Sequence, residues 1–272
     1  MFARSISVVL LLLTLGVGAQ QLYVGPADTT DMHWAEATDF DGSFILCRGA
    51  YTADRDEANG SGWGTDYPGA DHNLLVRLSM LTRIPIRFVG TPRYPVHVVV
   101  RLDDPLLLFR CPVILVEDVG VLRFTESEVV MLRRYFEAGG FLWADDFWGD
   151  QAWDQWEHEL RRVLPAYRYP MIDIPPDHTI MHMLYAVDHI PQQPTIGLWA
   201  PGHTSERGEE TKEVHFRGVL DARGRLIAVM THNTDIVDGM EEEKPENQAY
   251  IREFSASSYA IGVNIVLYAL TH

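Results

Sequence analysis

The pattern that most restricts the fold of this chain is a succession of strand, helix and strand signals between residues 113 and 146. Val113, Ile114, Leu115 and Val116 form a short, wholly apolar run of the kind required by a parallel strand covered on both faces. Thr125-Glu126-Ser127-Glu128 has capping-box spacing, in which Thr125 accepts from the N3 amide and Glu128 reaches back to the cap. Val129, Leu132 and Phe136 then fall on one helical face, and Gly139 or Gly140 can take the left-handed conformation that closes a helix. A second apolar run, Phe141-Leu142-Trp143-Ala144, follows at once. Strand, crossover helix and strand imply parallel neighbours that share a C-terminal edge. Glu117 and Asp118 follow the first strand, Asp145 and Asp146 the second, and ligands of open α/β sheets bind beyond that edge. A site is expected there.

Residues 1–19 read as a secretory signal peptide, with Arg4 as the charged region, an apolar run over residues 6–17 and the small residues Val17-Gly18-Ala19 for cleavage. That run is short for a permanent span, and no later segment reads as one, so the expected location is periplasmic or secreted. Residues 20–41 form a polar, acidic arm, and residues 42–272 read as a single α/β domain large enough for a sizeable core. The formal net charge of −16 argues against nucleic acid as a partner, because phosphate contacts need a basic face. Cys47 and Cys111 are the only cysteines; export allows them to pair, and flanking strands equally suit buried thiols. Two cysteines make neither a disulfide framework nor a zinc cluster.

Along the chain, residues 44–47 read as the first strand, leading to Arg48. The loop over residues 53–69 carries Trp63, Tyr67 and Pro68 as its bulky members, and Trp63 either pins the loop to the core or presents itself to a ligand. Asp71 is expected to cap a helix with Leu74, Leu78 and Leu81 on one face, and residues 86–89 and 96–100 are expected strands. Trp153, Trp156, Leu160 and Val163 recur at helical spacing until Pro165. Residues 225–230 read as the last strand, residues 241–247 as a solvated acidic loop, and residues 257–270 as a closing helix. The fold class expected is a three-layer, open, mainly parallel sheet with helices on both faces.

Three predicted strands end in acids or amides: Glu117/Asp118, Asp145/Asp146, and Asn233/Asp235 with Asp238. Gathered carboxylates raise one another's pKa and oppose folding unless a cation or hydroxyls accompany them. The functional reading makes Asp146, Asp235 and Asp238 ligands of a hard cation such as Ca²⁺ or Mg²⁺, with Arg48, Trp63, Asp66, Trp148, Asn233 and Asp235 around a polar small molecule. Asp145, Asp146 and His178 are the candidates for acid-base work. Of the adjacent acids, Asp146 is expected to face the ligand and Asp145 to be structural. The competing reading makes each acid a cap for the element that follows it. His178 and His182 are four apart, as zinc ligands on a helix often are, but the intervening residues are β-prone and lack a metalloprotease glutamate. No Gly-x-Ser-x-Gly elbow, phosphate loop or dinucleotide fingerprint is present, which disfavours nucleotide chemistry.

The combination of Trp63-Gly64-Thr65-Asp66-Tyr67-Pro68-Gly69-Ala70-Asp71, Gly139-Gly140-Phe141 with Asp145-Asp146, Asp177-His178, Asn233-Thr234-Asp235 with Asp238-Gly239, and Gly262-Val263-Asn264 resembles the bacterial family called domain of unknown function 4159. The resemblance covers nearly all of residues 42–272. It implies a class I glutamine-amidotransferase-like, flavodoxin-like domain, exported in many members, with no established activity. Cys47 and Cys111 lie outside any Gly-x-Cys-x-Gly turn, so glutaminase chemistry does not carry over. A looser similarity to the trehalose-utilisation branch of the same fold points to carbohydrate by analogy of fold alone. The expected function is binding of a polar small molecule such as a saccharide, with hydrolysis as the reaction class if the protein is an enzyme. The alternative is a non-catalytic envelope module that binds a protein partner.

Overall fold

The computed structural model describes residues 32–55 and 60–272. The predicted signal peptide and most of the predicted arm lie outside the described residues. Seven strands make the main sheet: β1 Leu46–Ala50, β2 His97–Arg101, β3 Val113–Glu117, β4 Phe141–Asp145, β5 Met171–Asp173, β6 His215–Leu220 and β7 Leu226–His232. Their order across the sheet is β2-β1-β3-β4-β7-β6-β5. The neighbours from β2 to β7 are parallel, and β6 pairs antiparallel to both β7 and β5. Helices α1 Gly69–Leu81, α2 Glu126–Glu137, α3 Gly149–Val163, α4 Asp238–Glu241 and α5 Ala256–Thr271 surround it. The sheet is thus mainly parallel and the architecture α/β.

Alternation along the strands divides the core into two layers. Cys47, Val98, Ile114, Val116, Leu142, Ala144 and Met230 face Leu132, Phe136, Trp156 and Leu160 of α2 and α3. Leu46, Val113, Leu115, Phe141, Trp143 and Val229 face Leu74, Leu78, Val263 and Val266 of α1 and α5. The capping box at Thr125 forms as expected, with Thr125 accepting from Glu128 N at 3.2 Å and Glu128 from Thr125 N at 2.7 Å. Gly139 takes φ +101° at the helix end, and Gly140 lies so close to the Tyr135 ring that a Cβ there would come within 2.3 Å of it.

Several boundaries differ from the sequence reading. The first strand begins two residues later than expected and includes Arg48, and of the expected 86–89 strand Phe88–Val89 forms a strand while Ile86 makes an isolated bridge to Phe44. Asp71 is not the N-cap of α1: Pro68 occupies that position, and Asp71 sits buried in the first turn. Glu241 and Glu242 are buried rather than solvated, because α4 turns them inward beside Lys244. Cys47 and Cys111 form a disulfide between β1 and the entry to β3. The segment Pro245–Thr271 is long and apolar enough to cross a membrane, and 61% of its most apolar window is buried in the domain.

Candidate functional site

In this strand order the chain passes from β1 outward to β2 and then back across β1 to β3, and this reversal makes the C-terminal ends of β1 and β3 a topological switch point. The side chains that alternation sends toward α1 and α5 at that edge are polar. Arg48 continues the face of Leu46, Glu117 that of Val113 and Leu115, Asp145 that of Phe141 and Trp143, and Thr231 that of Val229. Glu117 and Asp145 are direct register partners on adjacent strands. Both are completely buried, as is Arg48.

Arg48 is held by Asp71, to which its Nη2 donates, by Thr65 O at 3.1 Å from Nη1, and by Glu117 Oε1 at 3.3 Å from the same nitrogen. Burial works against its charge, but Asp71 and Glu117 outweigh that and raise its hold on the proton. Arg48, expected to meet a ligand, is instead an internal counter-ion with no exposed surface.

The adjacent acids divide by the turn that each strand end makes. Asp118, Asp146 and Asn233 each follow the last residue of a strand and take left-handed conformations, φ 50°, 51° and 62°. Asp66, before α1, does the same at φ 60°. Asp and Asn tolerate this region better than other side chains, so an acid or amide at each strand end has a backbone reason. Asp118 Oδ2 accepts from Gly62 N at 2.9 Å, and Asp146 Oδ1 from Trp148 Nε1 at 3.0 Å. Asn233 ties Gly149 N (2.8 Å) to Glu213 O (2.8 Å).

Asp145 faces the other way. It accepts from the Thr231 hydroxyl and from Val237 N at 2.8 Å, and one of its oxygens lies within 4.8 Å of oxygens of Glu117 and Asp235. Asp66, Asp235 and Asp238 form a second group with the same mutual spacing. Asp66, rather than the expected Asp146, completes the group with Asp235 and Asp238, because the left-handed turn at Asp146 carries its carboxylate to the Trp148 indole.

The protein supplies donors to some of these oxygens only. Asp238 Oδ2 accepts from Tyr250 Oη at 2.7 Å and Ile196 N at 3.0 Å, and Asp235 Oδ1 from Asp238 N at 2.8 Å. Asp66 Oδ2 and both oxygens of Glu117 are buried without a hydrogen-bond donor among the described residues. Burial first, then the neighbouring acids, pushes Asp66, Asp146 and Asp235 well above the usual carboxylate range. Burial likewise lifts Glu117 well above that range, although Arg48 pulls it down. Burial also raises Asp145 and Asp238 to about 7. Two carboxylates at this spacing repel by about 3 kcal/mol at an effective dielectric near 20.

Other candidates sit apart from this cluster. Trp63 is half-buried, packs against the core and meets Trp34 edge-on at 5.8 Å, which pins its loop. His178 Nδ1 accepts from Ile180 N, and its ring lies against Tyr268, whose hydroxyl accepts from Leu226 N at the start of β7. That is the opposite edge of the sheet. His182 bonds Pro176 O, so the two histidines do not converge on one point. A cavity of about 550 Å³ beside β2 is lined by His33, His72, Arg87, Tyr94 and His97 among others, and none of the clustered acids lines it. Sequence reasoning assigned no role to Glu117 and missed Tyr250; the alternation Val113, Leu115, Glu117 in a strand buried on both faces was the available signal for the first.

These features define a doubly wound α/β protein with an acidic centre at its switch point. Residues 53–270 match the family described as a domain of unknown function (DUF4159), and the chain belongs to that family. No curated protein matches the chain.

Proposed function

We propose that the protein is an exported, cation-dependent binding domain, in which a hard divalent cation of the Ca²⁺ or Mg²⁺ type sits among Asp66, Asp235 and Asp238 and helps to hold a hydroxyl-rich small molecule such as a saccharide. The observation that carries this reading is that Asp66, grouped with Asp235 and Asp238, has a buried oxygen, Oδ2, to which no described residue donates. A buried carboxylate oxygen without a donor costs about 1–3 kcal/mol or more, and a cation removes that cost. All the ligands are carboxylate oxygens, the donor type that Ca²⁺ and Mg²⁺ prefer. Asp146 is slightly more exposed than its neighbour Asp145, 9% against 0%. Export is supported by the leader-like residues 1–19 and by a disulfide of the kind that oxidising compartments permit.

Thermal-shift measurements on protein stripped with EDTA test the proposal. Millimolar Ca²⁺ or Mg²⁺ should raise the melting temperature, and saccharides should raise it further only when the cation is present. Indifference to every cation and sugar, together with co-purification of one envelope protein, would favour the non-catalytic partner-binding module instead.

A further inference from the structure

Asp235 belongs to the two carboxylate groups described above, and each of them contains a residue with a buried oxygen to which no described residue donates. Asp66, whose Oδ2 is so placed, belongs to the group with Asp235 and Asp238, and Glu117, both of whose oxygens are so placed, to the group with Asp145 and Asp235. We propose that the acidic edge holds two hard divalent cations bridged by Asp235, one between Asp66, Asp235 and Asp238 and a second between Glu117, Asp145 and Asp235. The inference rests on the cation reading above and extends it by a site.

Charge supports the second ion. Arg48 and Asp71 neutralise each other, which leaves Asp66, Glu117, Asp145, Asp235 and Asp238 as five carboxylates in one cluster, all buried but Asp66, which is half-buried. A single dication leaves three negative charges there, and two leave one. Glu117 decides the matter further. It is completely buried, among the described residues its only ion-pair partner is Arg48, already engaged by Asp71 and Thr65, and neither Glu117 oxygen accepts a hydrogen bond from a described residue. A carboxylate shared between two ions holds them about 3.5–4 Å apart in known two-metal sites. With one negative charge remaining, such a centre has no positive excess to draw a phosphate. Vicinal hydroxyls of a neutral polyol, which can enter the coordination shell of each ion, suit it better.

The test is the number of ions bound per chain, read by native mass spectrometry and by calorimetric titration of the EDTA-stripped protein with Mn²⁺, Ca²⁺ or Mg²⁺. The wild type should bind two equivalents. Glu117→Gln should bind one, Asp66→Asn one, and Asp235→Asn none with comparable affinity. Each of these is a near-isosteric amide that removes a buried charge, and circular dichroism of each variant checks that it is folded. A wild type that binds one equivalent leaves the single-cation reading standing and overturns this one. A folded Glu117→Gln variant that keeps the full wild-type stoichiometry also overturns it. Binding of no ion at all overturns both.

Discussion

Stripped of cations, the protein is expected to lose stability as pH rises through neutrality, the reverse of what ordinary paired carboxylates produce. Asp145 and Asp238 titrate near 7 in the folded protein and Glu241 near 8, against ordinary values of 3.8, 3.8 and 4.5. Asp66, Glu117, Asp146 and Asp235 are raised well beyond the usual range. An acid whose folded pKa is raised binds its proton more tightly in the native state, so its stabilising effect is complete below the unfolded value and disappears as pH rises through the folded value. His97 and His232, lowered to about 4 by burial, act in the opposite sense between pH 4 and 6.5, so the clean window is pH 6.5–8.5. Each proton retained only by the folded state contributes a slope of about 1.4 kcal/mol per pH unit. Two such protons give roughly 3 kcal/mol, or about 5–10 °C in Tm, per unit for a domain of this size. Intrinsic fluorescence from the buried Trp143 and Trp156 reports the melting curve directly. With about 5 mM Ca²⁺ or Mg²⁺ the slope should reverse, because cations bind the deprotonated cluster and ligand at a hundred times Kd adds about 2.7 kcal/mol. Glu117→Gln should reduce the cation-free slope by about one proton. A cation-free Tm that rises from pH 6.5 to 8.5 would overturn this expectation, since it would mean that the cluster is stably ionised without a metal.

Reduction of the Cys47–Cys111 bond, which spans a sequence separation of 64, should cost about 4 kcal/mol by the chain-entropy relation, read as a drop of roughly 10 °C in Tm with reductant. Thr231→Val removes the hydroxyl that donates to Asp145 and accepts from Trp143 Nε1 at 3.2 Å, leaving a buried indole N–H unpaired. Denaturant melts should show a loss of about 1–3 kcal/mol. Gly140→Ala places a Cβ against the Tyr135 ring, whose hydroxyl bonds Cys111 O at 3.0 Å and accepts from Phe141 N at 3.1 Å. The same melts should show about 1–3 kcal/mol of overpacking cost, and an unchanged midpoint would mean that the β4 entry is loosely packed.

The central unit was legible because its signals are local. A capping box, a one-sided apolar helix face and a glycine close α2 without help from the rest of the chain, and two apolar runs flank it. β5 and β6 were not legible, since Met171–Asp173 is only three residues long and His215–Leu220 mixes Arg217 and Gly218 into an antiparallel pair that is specified by β7 rather than by its own pattern. The acidic edge was visible as acids after strands, but the division within each pair was not. Alternation places Asp145 and Asp146 on opposite faces, and only the packing of α1 and α5 shows that the cluster lies on the Asp145 side. Asp71 signalled a nearby helix but was misplaced as its cap, and its role stayed hidden because the Arg48 partner lies 23 residues away across the core.

The most direct test of the cation centre is a crystal grown from EDTA-stripped protein and soaked in Mn²⁺, with anomalous scattering recorded at the manganese edge. Strong anomalous density is expected within the enclosure of Asp66, Glu117, Asp145, Asp235 and Asp238, and it should vanish in Asp235→Asn. Anomalous density confined to exposed carboxylates, with the cluster unchanged and empty of manganese, would show that the buried acids hold no cation.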